Sequence, residues 1–181
     1  MPVNKNNMPI INYVAYDIET TGLSPYRDKI IEIGAVKVID NEVVKIFQEL
    51  INPLIKIPAD ATKVNGITNT MVKDCRYIED VLPDFIDFTG DLPLVAHNAD
   101  FDYSFIKNKW FELTGGMLNK EHYCTMKQYR SYYKSNYRVP PTSARLDDVY
   151  RTLCGEPITD HHRALSDAMA VMKIFKIISG E

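Results

Sequence analysis

Apolar residues follow two different spacings along this chain, and the change comes near Pro53. Upstream they form short continuous runs rich in β-branched residues, at Ile10–Ile18, Ile30–Ile39 and Val43–Ile51. Runs of that length bounded by turn residues predict buried strands. Thr20-Thr21-Gly22-Leu23-Ser24-Pro25 and Asp40-Asn41 separate them, and both are turn chemistry. Three strands with short connections predict an antiparallel meander. Downstream the spacing turns helical. Pro53 and Pro58 punctuate a loop, and residues 60–65 and 69–75 predict short helices around Gly66-Ile67-Thr68. Ile78, Val81, Leu82, Phe85 and Ile86 recur at helical intervals, predicting a helix over Ile78–Thr89. Pro93–His97 reads as a short fourth strand. A helix from about Phe101 to Leu113 should stop at Gly115-Gly116. A short strand near His122–Cys124 and a helix from about Met126 follow, then a loop over Asn136–Ser143 with Pro140-Pro141. Leu146–Leu153 is helical. The last helix runs from about Arg163 to Ile178 on a stripe of Ala164, Ala168, Val171 and Phe175. The predicted class is α/β: an antiparallel meander plus parallel strands in one mixed sheet, with helices on both faces.

Composition narrows the class of protein. The 181 residues suit one domain; residues 1–9 read as a loose polar arm and 10–181 as that domain. No apolar run approaches the ~18 residues of a membrane span. The first residues, Met-Pro-Val-Asn-Lys-Asn-Asn, lack a secretory apolar core. A cytoplasmic protein without a membrane partner is expected. Cys75, Cys124 and Cys154 are too few and too widely spaced for a disulfide framework or a zinc pattern. The net charge of −3 does not announce a nucleic-acid binder. Its distribution is uneven, however: residues 107–151 carry nine basic and four acidic side chains. That stretch can be a phosphate-holding surface or simply a solvated helical face.

The acids carry more information. Asp17 and Glu19 close the first apolar strand, and residues at i and i+2 of a strand share a face. Two carboxylates at a buried strand end repel each other and lose hydration, which calls for a cation. Hard ions such as Mg²⁺ and Mn²⁺ prefer such oxygen ligands. Exposed carboxylates paired with lysines are the plainer alternative. Asp100 and Asp102 follow the fourth strand, where an aspartate can also serve a helix start; we read Asp100 that way. Asp167 sits beside Ala164, Ala168 and Val171, an odd setting for a purely solvated acid.

In order, three segments resemble the motifs of one family. They are Tyr16-Asp17-Ile18-Glu19-Thr20-Thr21-Gly22-Leu23, His97-Asn98-Ala99-Asp100-Phe101-Asp102 and His162-Arg163-Ala164-Leu165-Ser166-Asp167-Ala168. The family is the DEDDh, or DnaQ-like, 3′→5′ exonuclease superfamily, with its ribonuclease H-like sheet. The resemblance implies Asp17, Glu19, Asp102 and Asp167 as ligands of two divalent ions, Mg²⁺ or Mn²⁺. It implies His162, five residues before the last aspartate, as the general base, in preference to His161. Asp17 would bridge both ions, Glu19 and Asp167 would complete the first site, and Asp102 would serve the second.

The resemblance also implies a substrate: the 3′ end of a nucleic acid, preferably single-stranded DNA, released as nucleoside 5′-monophosphates in proofreading or repair. The loop Thr20, Thr21, Gly22 and Leu23 would hold the terminal nucleotide, with Leu23 wedged against the base. His97, Asn98 and Phe101 would border it. Asn65 stands where family members often carry histidine before Gly-Ile-Thr, so the terminal base would be held differently. An exoribonuclease and a non-catalytic nucleic-acid-binding module are the alternatives. A free-standing enzyme, a domain of a larger polymerase and a subunit that docks on a DNA polymerase all stay open.

Overall fold

A computed structural model describes residues 10–180; the arm expected at residues 1–9 lies outside the described residues. Among them are five strands and seven helices, beginning with β1 (Tyr13–Thr20), β2 (Ile30–Ile39) and β3 (Glu42–Leu50). The short helices α1 (Ala59–Asn65) and α2 (Asn69–Val72) and the longer α3 (Ile78–Thr89) follow. Next come β4 (Leu94–Ala96), α4 (Ala99–Thr114), β5 (His122–Cys124), α5 (Thr125–Tyr137), α6 (Leu146–Cys154) and α7 (Ala164–Ile178).

The strands form one sheet in the order β3-β2-β1-β4-β5. The meander pairs are antiparallel, and β1–β4 and β4–β5 are parallel. This is the mixed α/β sheet that the apolar pattern predicts. The first strand begins at Tyr13, later than the apolar run suggests, because Ile10 is buried as part of the α7-side core without joining the ladder. The fourth helix begins two residues earlier than predicted, at Ala99, behind Asn98 in the left-handed conformation.

Two cores flank the sheet, and β1 serves both. Val14, Tyr16 and Ile18 pack with Val81, Leu82 and Phe85 of α3 and Ile106 of α4. Tyr13 and Ala15 face the other way, against Val171, Ile174 and Phe175 of α7 and Val149 of α6. A strand buried on both faces shows a continuous apolar run rather than alternation. Alternation matters for what comes next in β1. Asp17 and Glu19 continue the Tyr13–Ala15 row, so strand parity sends both carboxylates to the α7 side.

Candidate active site

The parallel ladder between β1 and β4 covers only Val14↔Leu94 and Ala15↔Val95. Beyond it the strand ends part, and a cleft of about 850 Å³ opens there. Crevices at the carboxyl ends of such strands are the usual binding places of α/β sheets. Asp17, Glu19, Asp102 and Asp167 all line this one, together with His161 and His162.

Each acid is held by a different element. Asp17 and Glu19 lie opposite Gly34 and Glu32 in the antiparallel register with β2. Carboxylate oxygens of Asp17, Glu19 and Asp167 lie within 4.8 Å of one another. Asp102, 3% exposed, projects from the first turn of α4 and accepts the Ile18 N–H at 3.3 Å. That N–H is free because β4 has already ended. Asp167, 4% exposed, comes from the first turn of α7, whose N-terminal dipole favours negative charge. Asp100 is exposed and paired with Lys127 at 2.6 Å, away from this group.

The electrostatics are those of crowded, buried carboxylates. Burial pushes the Asp17 carboxyl well above its ordinary range, and the charges of Asp102, Asp167 and Glu19 push it further. Burial, then Asp167 and Glu32, raises Glu19 to about 8, against a hydrogen bond from Asn65. Burial also raises Asp102 to about 8 despite backbone N–H donors. Hard oxygen donors crowded in this way fit a divalent ion and leave a costly excess of negative charge without one.

The two histidines sit at the rim. His161 Nδ1 donates to Asp167 Oδ1 at 2.8 Å, which raises its pKa. The two rings stack at 3.9 Å. His162 donates its backbone N–H to Asp167 at 3.2 Å, and a ring nitrogen of His162 lies within 4.8 Å of ligand atoms of both His161 and Asp167. Among the described residues its ring makes no hydrogen bond, and burial followed by the neighbouring His161 lowers its pKa. His162 adopts φ 68°, and Asp160 just before it φ 54°.

The residues expected around the terminal nucleotide divide. Leu23 is 83% exposed, so it is no core leucine. Thr20 Oγ1 donates to the Gly22 carbonyl at 2.6 Å, and buried Thr21 accepts the Lys29 N–H. A Cβ on Gly22 would meet the Asp28 carboxylate at 2.5 Å, so the glycine is needed for the loop's own closure. Asn65 is buried at the end of α1; its amide donates to the Thr20 carbonyl at 3.5 Å and its oxygen accepts the Ile67 N–H. It therefore braces the loop. Phe101 and Asn98 line the cleft. His97 also lines it, but both ring nitrogens are engaged, with Thr125 Oγ1 at 2.9 Å and the Ala144 carbonyl at 2.8 Å.

Sequence reasoning missed two residues of β2. Glu32 is fully buried. It accepts Arg163 Nη2 at 2.7 Å, Arg163 Nε at 3.1 Å and the Ala164 N–H at 3.0 Å. Gly34, opposite Asp17, lies directly under the start of α7: a Cβ there would stand 2.2 Å from the Leu165 nitrogen. Together they seat the helix that carries Asp167 beside the strand that carries Asp17 and Glu19. The available signal was a lone charge inside the apolar run Ile30-Ile31-Glu32-Ile33.

Comparison with known proteins agrees with this architecture. The RNase_T family, described as Exonuclease, matches residues 14–175. The chain is 43% identical over 165 residues to a DNA polymerase III PolC-type of Caldanaerobacter subterraneus subsp. tengcongensis, covering 90% of this chain and 11% of that protein. It is 42% identical over 164 residues to the PolC-type polymerase of Clostridium perfringens, covering 91% of this chain and 11% of that protein. Among solved structures, exonuclease X in complex with 5′-overhanging duplex DNA shares 31% identity, covers 93% of both chains and superposes with a TM-score of 0.69. The chain thus spans about a ninth of the length of the polymerases it matches and nearly all of an exonuclease. It belongs to the DnaQ-like 3′→5′ exonuclease superfamily.

Proposed function

We propose that this chain is a metal-dependent 3′→5′ exodeoxyribonuclease that removes nucleoside 5′-monophosphates from single-stranded 3′ ends, in proofreading or repair. The observation that carries the reading is the convergence of Asp17, Glu19, Asp102 and Asp167 in one cleft, with three of them raised by burial and mutual repulsion. Such a cluster is costly for a merely structural purpose and well suited to divalent cations. Asp17, Glu19 and Asp167 would hold one ion; Asp17 and Asp102 would hold the second. When bound, a pair of Mg²⁺ or Mn²⁺ ions activates water and stabilises charge on the leaving oxygen.

The chain's own groups do the rest. His162, with a lowered pKa, is neutral near pH 7 and takes the proton of the attacking water. The water oxygen bonds to phosphorus as the bond from phosphorus to the 3′ oxygen of the preceding nucleotide breaks, and that oxygen takes a proton from solvent to leave as the new 3′-OH. His161 fixes Asp167 from the rim. Leu23 wedges under the terminal base and Phe101 offers it a ring face, while Thr20, Thr21 and Gly22 follow the sugar, braced by Asn65. Asn98 borders the terminal nucleotide in the cleft, and His97 positions the wall through Thr125 and Ala144. Residues 10–181 would act as one exonuclease domain in the cytoplasm, working with a DNA polymerase in cis or in trans. The kinship with PolC-type polymerases supports that partner. No helix among the described residues is long and apolar enough to cross a membrane.

The test is nucleotide release from 3′-labelled oligomers with Mg²⁺, Mn²⁺ or EDTA. Matched single-stranded DNA, duplex DNA with a mismatched 3′ end, and RNA would be compared. The reading expects single-stranded DNA to be cut fastest and EDTA to abolish release. Faster cleavage of RNA would make the chain an exoribonuclease. No release from any of them would leave a binding module.

A further inference from the structure

The proposed chemistry gives the basic stretch between residues 107 and 151 no role, and the fold separates several of its members. Lys109 pairs with Glu79 at 3.0 Å, Lys127 with Asp100 at 2.6 Å and Arg151 with Asp147 at 3.1 Å. Arg130, Lys134 and Arg145 differ. All are exposed, and among the described residues none has a carboxylate within 4.0 Å. The sequence of α5 contains no acidic residue. Arg130 and Lys134, four residues apart, stand on one face of it.

Their position gives the charge a direction. Arg130 of α5 and Arg145 of the loop before α6 both line the acid cleft. Arg130 also lines a second groove, of about 250 Å³, formed with Lys134, Pro140 and Pro141. The two grooves therefore share a wall and run on from the cleft along α5. At the end of the helix Tyr137 is 61% exposed and packs 4.5 Å from Tyr133. The two acids that face the cleft from this side are already engaged. Asp147 holds Arg151 and the Ile158 N–H, and Asp148 accepts the Ser143 hydroxyl.

We propose that α5 and the Pro140–Pro141 loop form the track for the strand upstream of the 3′ end, a single-stranded nucleic acid. Arg130 and Arg145 take the phosphates nearest the cleft, Lys134 takes one further along, and an upstream base stacks on Tyr137. The proposal rests on the exonuclease reading and extends it. A polyanion led toward four carboxylates meets repulsion, and unpaired cations at the cleft mouth offset it without breaking an existing ion pair. A basic groove with an aromatic platform is the common design for holding single strands without reading sequence.

The test compares the wild type with Lys134→Glu and with the double variant Arg130→Gln/Lys134→Gln. kcat and KM are measured on a 3′-labelled dinucleotide and on a single strand of about ten nucleotides. Binding of a fluorescent strand of the longer length is followed by anisotropy across a salt series. Wild-type KM should be at least about tenfold lower for the longer strand. In the double variant the loss on the longer strand should exceed that on the dinucleotide by about tenfold, and the slope of binding against log salt should fall by about 1.4. Equal losses on both lengths, or a wild-type salt slope in both variants, would overturn the track. Anisotropy reads the track even if no strand is hydrolysed, so failure of the exonuclease reading is seen separately, as a wild type that binds and does not cut.

Discussion

The floor and the rim of the cleft are built by opposite means. The floor is the end of β1, where sheet register sets Asp17 and Glu19 side by side between two cores. The rim is the segment 155–163 with His161 and His162, which joins no strand or helix and has positive φ at Asp160 and His162. That placement has an energetic consequence: Asp17 and Glu19 at the floor, with Asp102 of α4 beside them, are held where burial opposes their charge. The rim is fastened by fewer contacts, through Arg163 on Glu32, two contacts to Asp167 and the Ile158 N–H on Asp147. On the proposed reading, the carboxylates that would converge on an ion are set by backbone geometry, and the base that would meet water sits on a segment outside any strand or helix.

The sharpest way to break this contrast is Asp17→Asn. It should lower activity on 3′-labelled single strands by about 10³-fold or more, since the residue common to both proposed ion sites is lost. It should also raise the thermal midpoint in EDTA by a few degrees, about 1–2 kcal/mol of stability, because a carboxyl ionised in the unfolded chain no longer has to be protonated or buried as a charge on folding. A variant that loses activity and stability together would show that the floor is not strained.

A second prediction concerns the seat between floor and rim. Glu32→Ala leaves the Arg163 guanidinium and the Ala164 N–H without their buried acceptor. Removing one partner of a fully buried pair costs about 3–5 kcal/mol; Arg163 keeps a third of its side chain in solvent, so about 2 kcal/mol is expected. Gly34→Ala should act similarly by overpacking, at about 1–3 kcal/mol, because the new Cβ meets backbone rather than a flexible side chain. Denaturant melts measure both. Either variant at full stability and full activity would mean that α7 is seated by its apolar stripe alone.

The metal-free protein should also respond to pH in a defined direction. Glu19 moves from 4.5 to about 8 on folding, and Asp102 from 3.8 to about 8. The folded chain therefore holds more protons than the unfolded chain between these limits. Through these two groups stability in EDTA falls as pH rises from about 4.5 to about 8, since the slope follows the proton difference, and the raised Asp17 carboxyl acts in the same direction. Melting curves from pH 5 to pH 9 in EDTA test this, with Mg²⁺ expected to restore most of the loss at the alkaline end. A rise in stability with pH would refute the raised carboxyls.

Much of this was legible in the sequence, for physical reasons that also mark the boundary. The sheet could be read because β1 and β2 are apolar enough to announce burial on both faces. The Asp17–Glu19 pair could be read because strand parity is local. Asp102 and Asp167 needed the family spacing, since nothing local says that α4 and α7 begin beside β1. Glu32 stands out as a lone charge in an apolar run, but its role was not legible because its partner is Arg163, more than a hundred residues away, and no periodicity links them. Gly34 passed for an ordinary strand residue, as its role depends on how closely α7 approaches. His97 read as a residue near the substrate, and it lines the cleft; its bracing of Thr125 and Ala144 was not legible, because those partners lie 28 and 47 residues away.

The smallest predicted effect isolates the substrate loop from both floor and rim. Leu23 is the most exposed large apolar side chain among the described residues, at 83%. It supports no core, so Leu23→Ala should change stability by less than about 0.5 kcal/mol. If the side chain wedges against the terminal base, its apolar contact is made only in the complex, and losing it is worth about 1–2 kcal/mol. That corresponds to a KM on single-stranded DNA raised roughly 5- to 30-fold. The effect on a mismatched duplex end should be larger than on a free single strand, because there the wedge must also keep the terminal base from re-pairing. Equal KM values for variant and wild type on both substrates would remove Leu23 from the site. Its exposure would then be explained by the Thr20–Asp28 loop closing on its own hydrogen bonds.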